Sequence, residues 1–141
     1  MVQKQQPKFK ILPHTADVRL MIFGSSFEEI FQNALLGMAQ ILKPQKAINV
    51  REFTHNIDIN SLDPTALLID FLSEVLYFSN VDHAVFENLV IERLTENSLK
   101  GKIIGYEVEG FGEDIKAVTY HEAYVSQKAS NSWEALVIFD I

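Results

Sequence analysis

Residues 25–44 read SSFEEIFQNALLGMAQILKP, and the spacing within them decides the fold. Phe27, Ile30, Phe31, Ala34, Leu35, Met38, Ile41 and Leu42 recur every three or four residues, which places them on one stripe of an α-helix. Ser25 with Glu28, or Ser26 with Glu29, offers a capping box at its start, and Lys43-Pro44 a stop. A second stripe follows at Leu67, Leu68, Phe71, Leu72, Val75 and Leu76, opened by Asp63 as N-cap and Pro64 at the first helical position. Leu62 and Leu67 flank that cap at the spacing of a hydrophobic staple. Both stripes are read as core and not as cofactor-binding surface.

Strand-like stretches surround the two helices: Phe9 to Leu12, Val18 to Phe23, Ile48 to Ile59, Val85 to Thr95, Leu99 to Tyr106, Ile115 to Val125 and Trp133 to Phe139. Asn97-Ser98 reads as a hairpin turn and Ser126 to Ser132 as a polar connection. Gly105 to Glu113, with three Gly and three Glu, reads as a mobile acidic loop. The order of elements predicts an α+β fold, one domain over residues 1–141, with two amphipathic helices packed on a mainly antiparallel sheet. Residues 1–8 are expected to be a flexible basic tail.

A chain of 141 residues with 48% hydrophobic content and ten Phe can bury a core without staples. It has no Cys, which excludes disulfides, thiolate zinc sites and thiol catalysis. No apolar run approaches a membrane span, and the start lacks the apolar core of a signal peptide, so a cytoplasmic protein is expected with no membrane partner. The net charge is −7, although the first ten residues carry three Lys and no acid. Such a surface repels phosphate backbones, and no strong direct nucleic-acid binding is expected.

Chemistry is concentrated at two places. His14-Thr15-Ala16-Asp17 interrupts two apolar strands, putting an imidazole and a carboxylate at a bend. The strand from Trp133 to Phe139 runs into Asp140 and Ile141, where the sequence ends and the Ile141 α-carboxylate stands beside the Asp140 side chain. If that strand lies next to the one after Asp17, then Asp17, Asp140 and the Ile141 carboxylate make an oxygen-only site suited to Ca²⁺, Mg²⁺ or Mn²⁺. His14 is the better placed of the imidazoles, though it could equally hold the turn. His121 shares a strand face with Ala and Val and reads first as a structural residue. His55 and His83 read as surface residues, and Asp70 with Glu74 as the solvated side of the second helix. There is no metal-binding His motif, nucleophile elbow or Walker loop.

Four segments, His14-Thr15-Ala16-Asp17-Val18 with Gly24, Leu67 to Leu72, Ile115 to His121, and Asp140-Ile141, together resemble the archease family in order over nearly the whole chain. The resemblance implies a small cytoplasmic α+β protein that is not itself an enzyme but activates an RtcB-type RNA ligase in tRNA splicing and RNA repair. It does so by promoting guanylylation and repeated turnover of the ligase. It also implies a divalent-cation site, Ca²⁺ foremost, on Asp17, Asp140 and Ile141, with His14 and His121 as supporting residues. The sequence departs from the family pattern in one segment, where only Tyr106 to Asp114 separate Gly105 from the motif at 115–121. Two other classes are compatible with the residues: a metal-dependent phosphatase or hydrolase with His14 or His121 as base, and a general protein chaperone or scaffold.

Overall fold

Ser26 adopts an extended backbone, φ −148° and ψ 165°, and its Oγ accepts from the Glu29 N–H at 3.2 Å, which starts α1 at Phe27–Leu42. The Glu29 carboxylate completes the cap from Ser25, accepting from its N–H at 3.3 Å and from its hydroxyl. Lys43 ends the helix in the left-handed conformation, φ 48°, and Pro44 leads the chain away. Asp63 caps α2, Pro64–Asp82, by accepting from the Ala66 N–H at 2.8 Å. The staple expected at this cap does not form, because Leu62 is 92% exposed. His83 closes α2 in the left-handed conformation, φ 52°.

The computed structural model describes residues 6–12, 16–46 and 51–141. Its strands are β1 (Phe9–Leu12), β2 (Asp17–Gly24), β3 (Pro44–Lys46), β4 (Glu52–Asn60), β5 (Ala84–Leu94), β6 (Ser98–Phe111), β7 (Ala117–Ala129) and β8 (Ser132–Asp140). The expected α+β architecture, two helices on antiparallel strands, is the one observed. The strands divide into two sheets, β1-β2-β8-β7 and a second built on β6, which pairs with β3, β4 and β5. All pairings are antiparallel.

Each helix touches both sheets: α1 meets β1, β2, β8 and β5, and α2 meets β7, β4, β5 and β6. This explains why α1 buries more than one stripe, with Asn33, Gly37 and Ala39 added to the predicted positions. Phe31 of α1 and Phe71 of α2 are fully buried with ring centroids 5.7 Å apart, so the helices share one core. Burial of each such ring contributes about 1.5–3 kcal/mol. The helices also blunt sheet edges. The Gln32 amide accepts from Leu89 N–H at 3.1 Å and donates to the Glu87 carbonyl at 2.9 Å, while Thr65 Oγ1 accepts from Val125 N–H at 3.1 Å.

Three sequence expectations are corrected. Gly105 to Phe111 belongs to β6, not to a mobile loop: a Cβ on Gly101 or Gly105 would lie 2.2 Å from the carbonyl oxygen of Val90 or Val85. Glycine is there because β5, bulged at Phe86/Asn88 and Ile91/Arg93, approaches too closely for a side chain. The connection assigned to Ser126 to Ser132 is mostly strand, since β7 and β8 form a long hairpin whose turn is Ser130-Asn131. His55 is half-buried, stacked on Phe78 at 3.8 Å and paired with Asp82. The strand expected from Ile48 begins at Glu52, and residues 47–50 lie outside the described residues.

Candidate metal centre

Val18, Leu20 and Ile22 of β2 point into the core, as do Ala135, Val137 and Phe139 of β8. The two-residue alternation of a strand therefore sends Asp17 and Arg19, and Ile138 and Asp140, to the opposite, outward face. The register of β2 on β8 pairs Val18 with Phe139 and Asp17 with Asp140. The two carboxylates thus come from directly opposed residues on one face of the sheet, with side chains starting about 5 Å apart. Asp140 is exposed and Asp17 half-exposed.

The backbone beneath the pair is held firmly. Ala117 of β7 faces Asp140 from the other side, and Lys116 N–H donates to the Asp140 carbonyl at 2.7 Å. The Ile141 side chain packs against the core, which fixes the main chain just past Asp140. One level along the ladder Thr119 lies on the same face, with its hydroxyl buried and without a hydrogen-bond partner among the described residues.

Like charges directly opposed across a ladder are destabilising. Arg19, two residues from Asp17 on the same face, is paired with Glu122 at 2.5 Å. That ion pair runs from β2 to β7 across β8, at the level of Ile138, which is only 3% exposed although it points outward. Neither Asp17 nor Asp140 has an ion-pair partner among the described residues.

The structure sets Asp17 opposite Asp140, and Ile141 follows Asp140 in the chain. His14 lies outside the described residues. His121 is exposed on an excursion of β7 in which residues 120–123 intervene between the partners of Ile138 and Leu136, so the ladder does not place it opposite the acids. Within this excursion Glu122 adopts φ 56°. Among the described residues no three His, Asp or Glu side chains gather as a metal site.

Sequence reasoning missed a polar cluster that ties α2 to β7. Asp70 accepts from Ser61 Oγ at 2.6 Å and from the Tyr120 hydroxyl. The hydrogen bond to Asp70 raises the Tyr120 pKa above its usual value, with burial and the carboxylate charge adding to it. Asp70 and Tyr120 are 50 residues apart, so no local pattern announced the contact.

Comparison with known proteins fits this geometry. Residues 9–141 match the model of the Archease protein family. The chain belongs to the archease family. It is 32% identical to Protein archease of Methanosarcina barkeri over 99% of this chain and 100% of that one, and 34% identical to that of Methanosarcina mazei over 97% and 98%. The solution structure of Methanobacterium thermoautotrophicum protein 1598 superposes with a TM-score of 0.72 at 25% identity, covering 95% of this chain and 99% of that chain. The crystal structure of an archease described as a possible chaperone, from Thermotoga maritima, has the same fold, with a TM-score of 0.64 at 19% identity over the full length of both.

The residues present suit the divalent cation that the family resemblance implies. Two opposed carboxylates, without an ion-pair partner among the described residues, are hard oxygen donors of the kind such a cation takes. No helix among the described residues is long and apolar enough to cross a membrane.

Proposed function

We propose that this archease activates an RtcB-type RNA ligase, in tRNA splicing and RNA repair, by promoting guanylylation of the ligase and so its repeated turnover. The observation that carries the reading is the opposition of Asp17 and Asp140 at the end of the β2–β8 ladder, with no ion-pair partner for either among the described residues. Asp17, Asp140 and the Ile141 carboxylate would hold a divalent cation there, Ca²⁺ first, with Mg²⁺ or Mn²⁺ as alternatives. Such a cation supplies charge neutralisation and oxygen coordination of the kind that phosphoryl chemistry uses. The protein's own part is to orient the two carboxylates, brace them through Lys116 N–H and the packed Ile141 side chain, and present them on an exposed face. It acts as a protein cofactor in the cytoplasm and not as a catalyst.

The test is guanylylation of the same organism's RtcB-type ligase with GTP and a divalent metal, with and without this protein. Faster guanylylation and product beyond one equivalent of ligase support the proposal. An unchanged rate with a folded protein refutes it. Hydrolysis of generic phosphate esters, lost in Asp17→Ala, would instead favour the hydrolase reading, and metal-independent protection of unrelated clients from aggregation the chaperone reading.

A further inference from the structure

The metal centre leaves one face of α2 unexplained. Tyr77 and Val81, one turn apart, are 61% and 58% exposed, and Glu74 stands exposed beside them. Tyr77, Glu74 and Asp70 line an open groove of about 480 Å³ against Asp58 of β4. Isolated exposed apolar residues are ordinary. This pair is set apart by the groove beside it, which is lined by the carboxylates of Asp58, Asp70 and Glu74, with Lys100 opposite Asp58 on the neighbouring strand.

The position of this face follows from two cross-contacts. Val125 N–H donates to Thr65 Oγ1, and Tyr120 donates to Asp70, so α2 ascends as β7 descends. Seven residues beyond Asp70, about 10 Å along the helix, lies Tyr77. Three residues before Tyr120, about 10 Å along the strand, lies Ala117. Ala117 is the cross-strand neighbour of Asp140. Tyr77 therefore lies towards the end of α2 nearer Ala117, on the other side of the sheet from the face that carries Asp17 and Asp140.

We infer that the outward face of α2 is a docking surface for a basic protein, with Tyr77 and Val81 as apolar anchors and the exposed Glu74 facing Lys or Arg of the partner. Exposed tyrosines are favoured anchors at interfaces, and complementary charge sets register and the rate of encounter. The inference rests on the activator reading for the partner's identity, because an enzyme that grips RNA must display Lys and Arg. This face would then serve affinity and the acid pair activation.

Binding of the same organism's RtcB-type ligase to immobilised protein, measured beside ligase stimulation, tests it. The double variant Glu74→Lys/Tyr77→Ala should weaken binding at least tenfold with an unchanged melting temperature. Val90→Ser, at an exposed apolar residue of β5, should bind as the wild type does. Asp17→Ala should bind but fail to stimulate. A photo-crosslinking amino acid at position 77 should capture the ligase, and one at position 90 should not. Wild-type affinity in the double variant, or no binding of ligase by the wild type, overturns the docking face. Binding that tracks Tyr77 and Glu74 without any stimulation keeps the face and overturns the activator reading instead.

Discussion

Asp17 stands directly opposite Asp140 across the β2–β8 ladder, and neither carboxylate is neutralised by a side chain among the described residues. Removing one charge should relieve that repulsion when no metal is present. In chelator, Asp140→Asn is expected to raise stability by about 0.2–1 kcal/mol, the range for cross-strand pairs. In calcium the wild type should gain stability that the variant does not. Urea melts under both conditions check this. Equal calcium responses of the two proteins would argue against a site on these residues.

Glu122 holds a left-handed backbone at φ 56°, tied down by Arg19. Glycine accepts that conformation freely, whereas alanine does not. Both Glu122→Gly and Glu122→Ala lose the ion pair, so their difference isolates the backbone. The alanine variant should be the less stable by about 1–2 kcal/mol. Chemical denaturation of the two variants reads the difference directly.

Gly105 is enclosed by the bulged strand β5, with Val85 O 2.2 Å from where a Cβ would sit. Gly105→Ala must push one backbone from the other at the centre of the second sheet. The expected cost is about 2–3 kcal/mol, in the range for overpacked interiors. A loss below about 0.5 kcal/mol, the usual scale for an exposed site, would mean the segment is not paired as described.

Tyr124 gives a pH dependence. Burial, then its hydrogen bond to Glu134 at 2.6 Å, raises its pKa from 10.0 to about 12. A raised folded-state pKa means that the folded protein holds the phenol proton more tightly. The stability this contributes is complete below the unfolded value of 10.0 and is lost as pH rises towards about 12. Tyr124→Phe should therefore lose less stability than the wild type over that interval in alkaline melts. Parallel curves would show that the phenol proton is not held.

The helices were legible because their signals are local. The stripe from Phe27 to Leu42, the Ser26 and Asp63 caps and the stops at Lys43-Pro44 all lie within a few turns. The division of the strands into two sheets was not legible, since it depends on partners distant in sequence. Glycine misled at Gly105 because propensity alone treats it as a loop signal, while the ladder needs it for close approach. The excursion at Tyr120 to Ala123 broke the alternation that the sequence displayed, and Leu62 lay on the solvent side of a cap it was expected to staple. The acid pair was readable because Asp17 begins one strand and Asp140 ends another, so a single assumption of adjacency brought them together. Asp70 with Tyr120, and Arg19 with Glu122, left no trace in local spacing.

The most direct test of the account is multiple-turnover RNA ligation by the same organism's RtcB-type ligase with the wild-type protein, Asp17→Ala or Asp140→Ala, and Val90→Ser as a surface control. The account predicts stimulation by the wild type and by Val90→Ser, and its loss in both acid variants while they remain folded. Undiminished stimulation by Asp17→Ala and Asp140→Ala would contradict it.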